Sequence, residues 1–175
     1  VAPTQTKVSP MQITAYPGDL REIECSVMAA RPAVKITWTL NGRDITSDAQ
    51  DNEIANTHDG TFMAVSTLHK VFNQEDNGQN LVCAISHPTF SEPDVTIVPI
   101  SVYFSPVQKH VHTFYQVPLN SHYEIIISFS ASPQPTGLVW SFGSNFQEMT
   151  NHIQVPIDNG KFSTSLIIHD NGNYQ

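Results

Sequence analysis

Apolar and polar residues alternate with a period of two in short runs along the chain, and turn-forming residues interrupt the runs. Ile23, Cys25 and Val27 alternate with Glu24 and Ser26. Pro32 breaks that run, after which Val34, Ile36, Trp38 and Leu40 alternate again. A period of two sends successive side chains to opposite faces, so each run predicts a strand with one buried face. Asn41-Gly42 follows the second run directly and predicts a hairpin, because a two-residue type I′ turn needs positive φ at both positions. Phe62 to Leu68 predicts a further strand. Asp76-Asn77-Gly78 turns the chain into Leu81-Val82-Cys83-Ala84-Ile85, and Val95 to Phe104 predicts a last, extended strand. No stretch of helix length repeats with period 3.6. Seven or so short strands separated by turns predict an all-β sandwich and argue against a parallel sheet.

The pattern repeats weakly. Tyr123-Glu124-Ile125-Ile126-Ile127-Ser128-Phe129 resembles the first cysteine-bearing strand, and Pro133 and Pro135 precede Leu138-Val139-Trp140 as Pro32 precedes Ile36-Thr37-Trp38. Phe162 to Ile168 resembles Phe62 to Leu68, and Asp170-Asn171-Gly172 echoes Asp76-Asn77-Gly78. The boundary is expected near Ser105-Pro106, where proline halts ladder pairing and stiffens a short junction. The expected domains are residues 1–105 and residues 106–175.

Cys25, Trp38 and Cys83 have the order and approximate spacing of the pin of an immunoglobulin-like sandwich: a cysteine on the second strand, a tryptophan on the third, a cysteine on the sixth. The fold class is therefore all-β, with immunoglobulin-like β-sandwiches in tandem. Cys25 and Cys83 are expected to be bonded across the two sheets, with Trp38 against the bridge. Closing that loop contributes about 4 kcal/mol in the chain-entropy picture. Such a bond persists in an oxidising compartment, which places the chain outside the cell or in a lumen. The alternative is a pair of free buried thiols in a cytosolic protein. In the second domain Ile127 stands at the same remove from Trp140 as Cys25 stands from Trp38. Trp140 is the expected core tryptophan there, and isoleucine fills the cysteine's space at the loss of the cross-link. The run from Leu166 to Asp170 is shorter than that from Leu68 to Asp76, and the last strands are expected to be missing, so the second sandwich is expected to be incomplete.

Composition narrows the function. The 175 residues include 12 prolines and 8 glycines with 14% charged residues, which suits a turn-rich β protein. A net charge of −8 with only 8 lysines and arginines disfavours a nucleic-acid or anionic-membrane surface. No apolar run approaches the roughly 18–20 residues that span a bilayer, so any membrane anchor is expected outside this stretch. No secretory leader pattern opens the chain.

Four segments carry a family resemblance: Arg31-Pro32-Ala33-Val34-Lys35-Ile36-Thr37-Trp38 after Cys25; Gln74-Glu75-Asp76-Asn77-Gly78 leading into Cys83-Ala84-Ile85-Ser86-His87-Pro88-Thr89-Phe90-Ser91-Glu92-Pro93; Ile100-Ser101-Val102-Tyr103-Phe104-Ser105-Pro106; and Ala131-Ser132-Pro133-Gln134-Pro135-Thr136-Gly137-Leu138-Val139-Trp140. In order and spacing they resemble the second and third domains of the nectin, nectin-like and poliovirus-receptor family of immunoglobulin adhesion receptors. The resemblance implies a type I membrane protein whose preceding variable-type domain pairs with a protein on an opposing cell. Two features depart from that pattern: Ile127 replaces the cysteine, and no Asn-x-Ser/Thr sequon occurs.

Candidate chemistry is sparse. His110 and His112 would share one strand face and hold two positions of a metal site, with no third ligand close in sequence. Asp44, Asp48, Asp51, Glu53 and Asp59 form an acidic stretch that lacks the alternation of a calcium loop and suits a solvated strand edge. His87 lies near Cys83, but a disulfide would remove the thiol from any nucleophilic pairing. Lys70 falls at an inward position, where its stem must snorkel to a carboxylate or a bulge must turn it out. No catalytic or cofactor motif occurs, so no catalytic, cofactor or metal site is expected. The expected function is protein–protein recognition in the extracellular portion of an adhesion receptor, on the plasma-membrane face. Residues 1–105 are expected to serve as a stiff spacer, with or without a lateral contact face, and no small-molecule substrate is expected; few Trp, Tyr and Arg residues are there to mark a hot spot. The alternatives are a secreted humoral immune or matrix protein and a non-binding structural stalk.

Overall fold

A computed structural model describes residues 1–108, 122–137, 139–140, 149–150 and 161–169. The chain divides into two compact units, Val1–Tyr103 and Phe104–Gln175.

The first unit contains β1 (Thr4–Ser9), β2 (Ile13–Ala15), β3 (Leu20–Ala30), β4 (Lys35–Leu40), β5 (Arg43–Asp44), β6 (Ala49–Ala55), β7 (Phe62–Val71), β8 (Asn80–Ser86) and β9 (Asp94–Val102). One sheet has the order β1-β3-β7-β6 and the other β2-β9-β8-β4-β5. All pairs are antiparallel except β2 with β9, which run parallel. The alternation read from sequence is the burial pattern: Ile23, Cys25 and Val27 of β3 and Ile36, Trp38 and Leu40 of β4 line the core, all at most 9% exposed. Sandwich architecture follows because each sheet has one apolar face that only the other can cover.

Asn41 and Gly42 make the expected tight hairpin between β4 and β5, with φ of 49° and 76°. The corner before β8 is held differently from a sandwich that uses a tyrosine two residues before the second cysteine. Leu81 occupies that place and is fully buried. The corner is tied instead by Asn77 Oδ1, which accepts from the Val102 amide at 2.9 Å, and by the Gly78 amide donating to the Ile100 carbonyl at 3.0 Å. Lys70 does snorkel: its Nζ lies 5.4 Å from the centroid of the Phe72 ring and 3.6 Å from the buried Asp76 carboxylate.

In the second unit β10 (Phe104–Gln108), β11 (His122–Ser132) and β14 (Lys161–His169) form one sheet, and β12 (Val139–Trp140) pairs with β13 (Met149–Thr150). The pairing of β11 with β14 sets Ile127 opposite Thr164, as that of β3 with β7 sets Cys25 opposite Ser66. Ile127 packs against the buried Phe129 and Ala131, so apolar volume does fill the position. The Trp140 side chain, His110 and His112 lie outside the described residues. One expectation needs correcting. Pro106 does not halt pairing, because it sits within β10, an edge strand, at the irregularity between Phe104 and Val107. A proline at a bulge on an edge removes no ladder bond the sheet needs.

Candidate recognition surface

Cys25 and Cys83 are joined, their sulfurs 2.10 Å apart. Trp38 is the direct register partner of Cys83, so the indole and the bridge share one buried layer. The indole nitrogen donates to Ser66 Oγ at 2.9 Å, and the Ser66 hydroxyl donates in turn to the Asp51 carboxylate. Trp38 and Ser66 are both fully buried. A buried indole N–H needs an acceptor, and this short relay carries its polarity out to the edge strand β6. Sequence patterning gave no sign of it, since Ser66 falls among apolar inward positions of β7.

The acidic stretch is distributed rather than gathered. Asp44 lies on β5, Asp51 and Glu53 on β6, and Asp59 in the turn before β7. Hydrogen bonds from Thr46, its hydroxyl first and then its amide, hold the Asp44 carboxyl below the usual carboxylate range. Thr61 does the same for Asp59, whose Oδ1 accepts from the Thr61 hydroxyl at 2.7 Å and amide at 3.0 Å. These are turn-fixing carboxylates. Among the described residues no three His, Cys, Asp or Glu side chains are grouped to hold a metal. β6 forms the edge of its sheet, where inward and outward charges both deter pairing with another chain. A groove of about 300 Å³ opens between β4 and β6, lined by Lys35, Ile36, Asp51, Glu53 and Ala64 among others.

His87 is 6% exposed and fastens two loops. Its Nδ1 accepts from the Thr89 amide at 3.2 Å, which leaves Nε2 to donate to the Pro32 carbonyl at 3.1 Å. Both ring nitrogens are thereby committed to backbone geometry, and Cys83 is committed to the bridge. Neither group is available for chemistry.

The outer face of β4, β8 and β9 carries exposed apolar side chains. On β9, Val95 and Ile97 are 51% and 56% exposed. Their register neighbours on β8 are Ala84 and Val82, and beyond these on β4 lie Thr37 and Thr39. Together they make a low, uncharged, β-branched surface on an acidic molecule.

The fold and the buried pin define an immunoglobulin-type sandwich. Residues 3–94 match the CD80-like C2-set immunoglobulin domain family, and the chain belongs to it. Over the whole chain it is 25% identical to Cell adhesion molecule 1 of Mus musculus and 25% identical to Cell adhesion molecule 1 of Homo sapiens. It spans 38% and 39% of those proteins, less than two fifths of the length of the curated relatives. The full ectodomain (Ig1–Ig3) of mouse nectin-like molecule 4 superposes with a TM-score of 0.64 at 15% identity, covering 93% of this chain and 54% of that one. The resemblance to nectin-like receptors read from sequence therefore holds, and that solved structure speaks to the fold alone.

Proposed function

We propose that the chain is part of the extracellular portion of a cell-surface adhesion or recognition receptor that acts by protein–protein contact and performs no chemistry. The observation that carries this reading is similarity along the whole chain to proteins named as cell adhesion molecules. The structure supports it: a disulfide-pinned sandwich suits an oxidising exterior, and the buried cysteines and His87 are locked in structural roles. Residues 1–105 act as a constant-type domain that spaces a preceding variable-type domain from the membrane, and residues 106–175 are part of the next domain. The membrane anchor lies outside this stretch.

Surface plasmon resonance tests the spacer role. Residues 1–175 and a longer ectodomain that includes the preceding domain are passed over ectodomains of adhesion receptors from opposing cells. The longer protein is expected to bind and the 175-residue chain to bind at least tenfold more weakly. Equal affinity would locate recognition within residues 1–175 and overturn the spacer reading.

A further inference from the structure

We propose that Asn41 is a self-modifying site. Its side chain and the amide of Gly42 close a ring that reopens as aspartate or isoaspartate, so the tip of the β4–β5 hairpin changes with age. The chain holds four Asn-Gly pairs. Closure meets least obstruction at such pairs, because glycine carries no side chain to shield its nitrogen. Two of the pairs, at 159–160 and 171–172, lie outside the described residues. The structure treats the other two in opposite ways.

Asn77-Gly78 is tied at both reacting groups. Asn77 Oδ1 accepts from the Val102 amide at 2.9 Å, and the Gly78 amide donates to the Ile100 carbonyl at 3.0 Å. Both partners belong to β9, whose Ile100 and Val102 side chains are in the core, so freeing either group means opening a corner of the sandwich. Asn41-Gly42 has no such ties. Both residues are exposed, and among the described residues no hydrogen bond holds the Asn41 carboxamide or the Gly42 amide. The space around Gly42 is open. β5 is an edge strand joined to β4 by two residue pairs, Thr39 with Asp44 and Leu40 with Arg43. A hairpin tip held this lightly opens without unfolding of the core. Opening lets the Gly42 nitrogen swing against the carboxamide carbon.

The reaction needs only water. The Gly42 nitrogen gives up its proton and bonds to Asn41 Cγ. The carboxamide C–N bond breaks, and that nitrogen leaves as ammonia with the proton. Water then opens the cyclic imide at one of its two carbonyls. Cleavage at Cγ leaves aspartate; cleavage at the original peptide carbonyl leaves isoaspartate, whose backbone runs through the side-chain carbons. Either product adds a negative charge to a chain already at −8. Isoaspartate also adds a backbone atom to a two-residue turn, whose register cannot then be kept. The strain falls just after the turn. There the Ile45 amide donates to the Trp38 carbonyl at 2.9 Å, and the Thr46 hydroxyl accepts from the Trp38 amide at 2.9 Å. Conversion therefore loosens β5 and the span that follows it.

Peptide mapping tests this. The native chain is held in mildly alkaline buffer at physiological temperature, sampled over weeks, digested with trypsin and read by mass spectrometry. Residues 36–43 form one tryptic peptide in which Asn41 is the only asparagine. Conversion at Asn41, seen by its mass shift and resolved by chromatography into aspartate and isoaspartate, is expected at least tenfold faster than at Asn77. In the reduced, urea-unfolded chain the two sites are expected to convert within threefold of each other, which separates the effect of the fold from that of neighbouring residues. Equal rates in the native chain, or a faster rate at Asn77, overturn the proposal. A tenfold difference that persists after unfolding overturns it too. Hydrogen exchange on the aged chain checks the consequence: the Ile45 amide should exchange at least tenfold faster in isoaspartate-bearing molecules than in fresh ones, with β8 amides unchanged. Unaltered protection at Ile45 would show that the turn absorbs the extra atom, and would overturn the loosening.

Discussion

Replacing Ser66 by alanine removes one oxygen from the centre of the first sandwich and should cost far more than its size. Ser66 is fully buried and its Oγ is the acceptor for the indole N–H of Trp38 at 2.9 Å. Alanine deletes that acceptor without deleting the donor. An unpaired buried donor costs about 1–3 kcal/mol, against about 1 kcal/mol for the net worth of the bond. Asp51 also loses the hydroxyl it accepts from, but it sits on an edge strand where water can replace it. The expected loss is about 2 kcal/mol, which lowers the melting temperature of a domain of about 100 residues by roughly 10 °C. Trp38→Phe supplies the second arm of a double-mutant cycle, because it removes the donor. In that background Ser66→Ala should be nearly neutral, giving a coupling of about 1–2 kcal/mol. Hydrogen exchange at the amides of β8, which borders Trp38, reads the stability of this unit alone and avoids assuming that both units melt together. If the two changes simply add, or if Ser66→Ala costs under about 0.5 kcal/mol, the indole does not depend on the relay.

Three further outcomes are expected. Replacing Cys25 and Cys83 together by alanine should lower the stability of the first unit by about 4 kcal/mol in the chain-entropy picture, read by urea titration under oxidising conditions; an unchanged midpoint would refute it. The Thr46 and Thr61 hydrogen bonds hold the Asp44 and Asp59 carboxyls below the usual carboxylate range in the folded state, so their contribution is present above that range and fades as pH falls through the folded values. Melts between pH 2 and 6 should therefore decline in acid more gently for Asp59→Asn than for the native chain, and a parallel decline would count against the Thr61 bonds. Amides of β11 should exchange faster than those of β8, because Ile127 fills the cysteine's place without a cross-link; equal protection would mean that another element closes the second unit.

Much of the first sandwich was legible because its signals are local. Alternation in residues 23–27 and 34–40 marked the strands, Asn41-Gly42 marked the hairpin, and Cys25, Trp38 and Cys83 marked which strands must face each other. Features that depend on pairing at a distance were not legible. Nothing near Ser66 says that it lies under the Trp38 indole, because that needs the register of β7 and the crossing of the two sheets. The first edge of the sandwich divides between sheets, β1 to one and β2 to the other, and no run of residues announces such a split. Pro106 read as a boundary because proline halts a ladder in general; only the bulge in β10 makes it harmless there.

The outer face of β4, β8 and β9 belongs to neither class, since a signal for it was present and went unused. An antiparallel strand with one solvated face should be apolar at one parity only. β9 is apolar at both: Val98, Ile100 and Val102 line the core, while Val95 and Ile97 fall at the opposite parity and stand exposed. Core packing explains the first set and leaves the second without a function in the isolated sandwich. β-branched residues at exposed strand positions favour the extended backbone, but a charged or hydroxylated residue would serve solubility better, as on the outer side of β3 with Glu22 and Glu24. Counting exposed tryptophan, tyrosine and arginine searches for compact hot spots of the kind that anchor tight complexes. The second apolar parity of β9, read together with the lack of charge on the strands beside it, is a mark that such a count does not register.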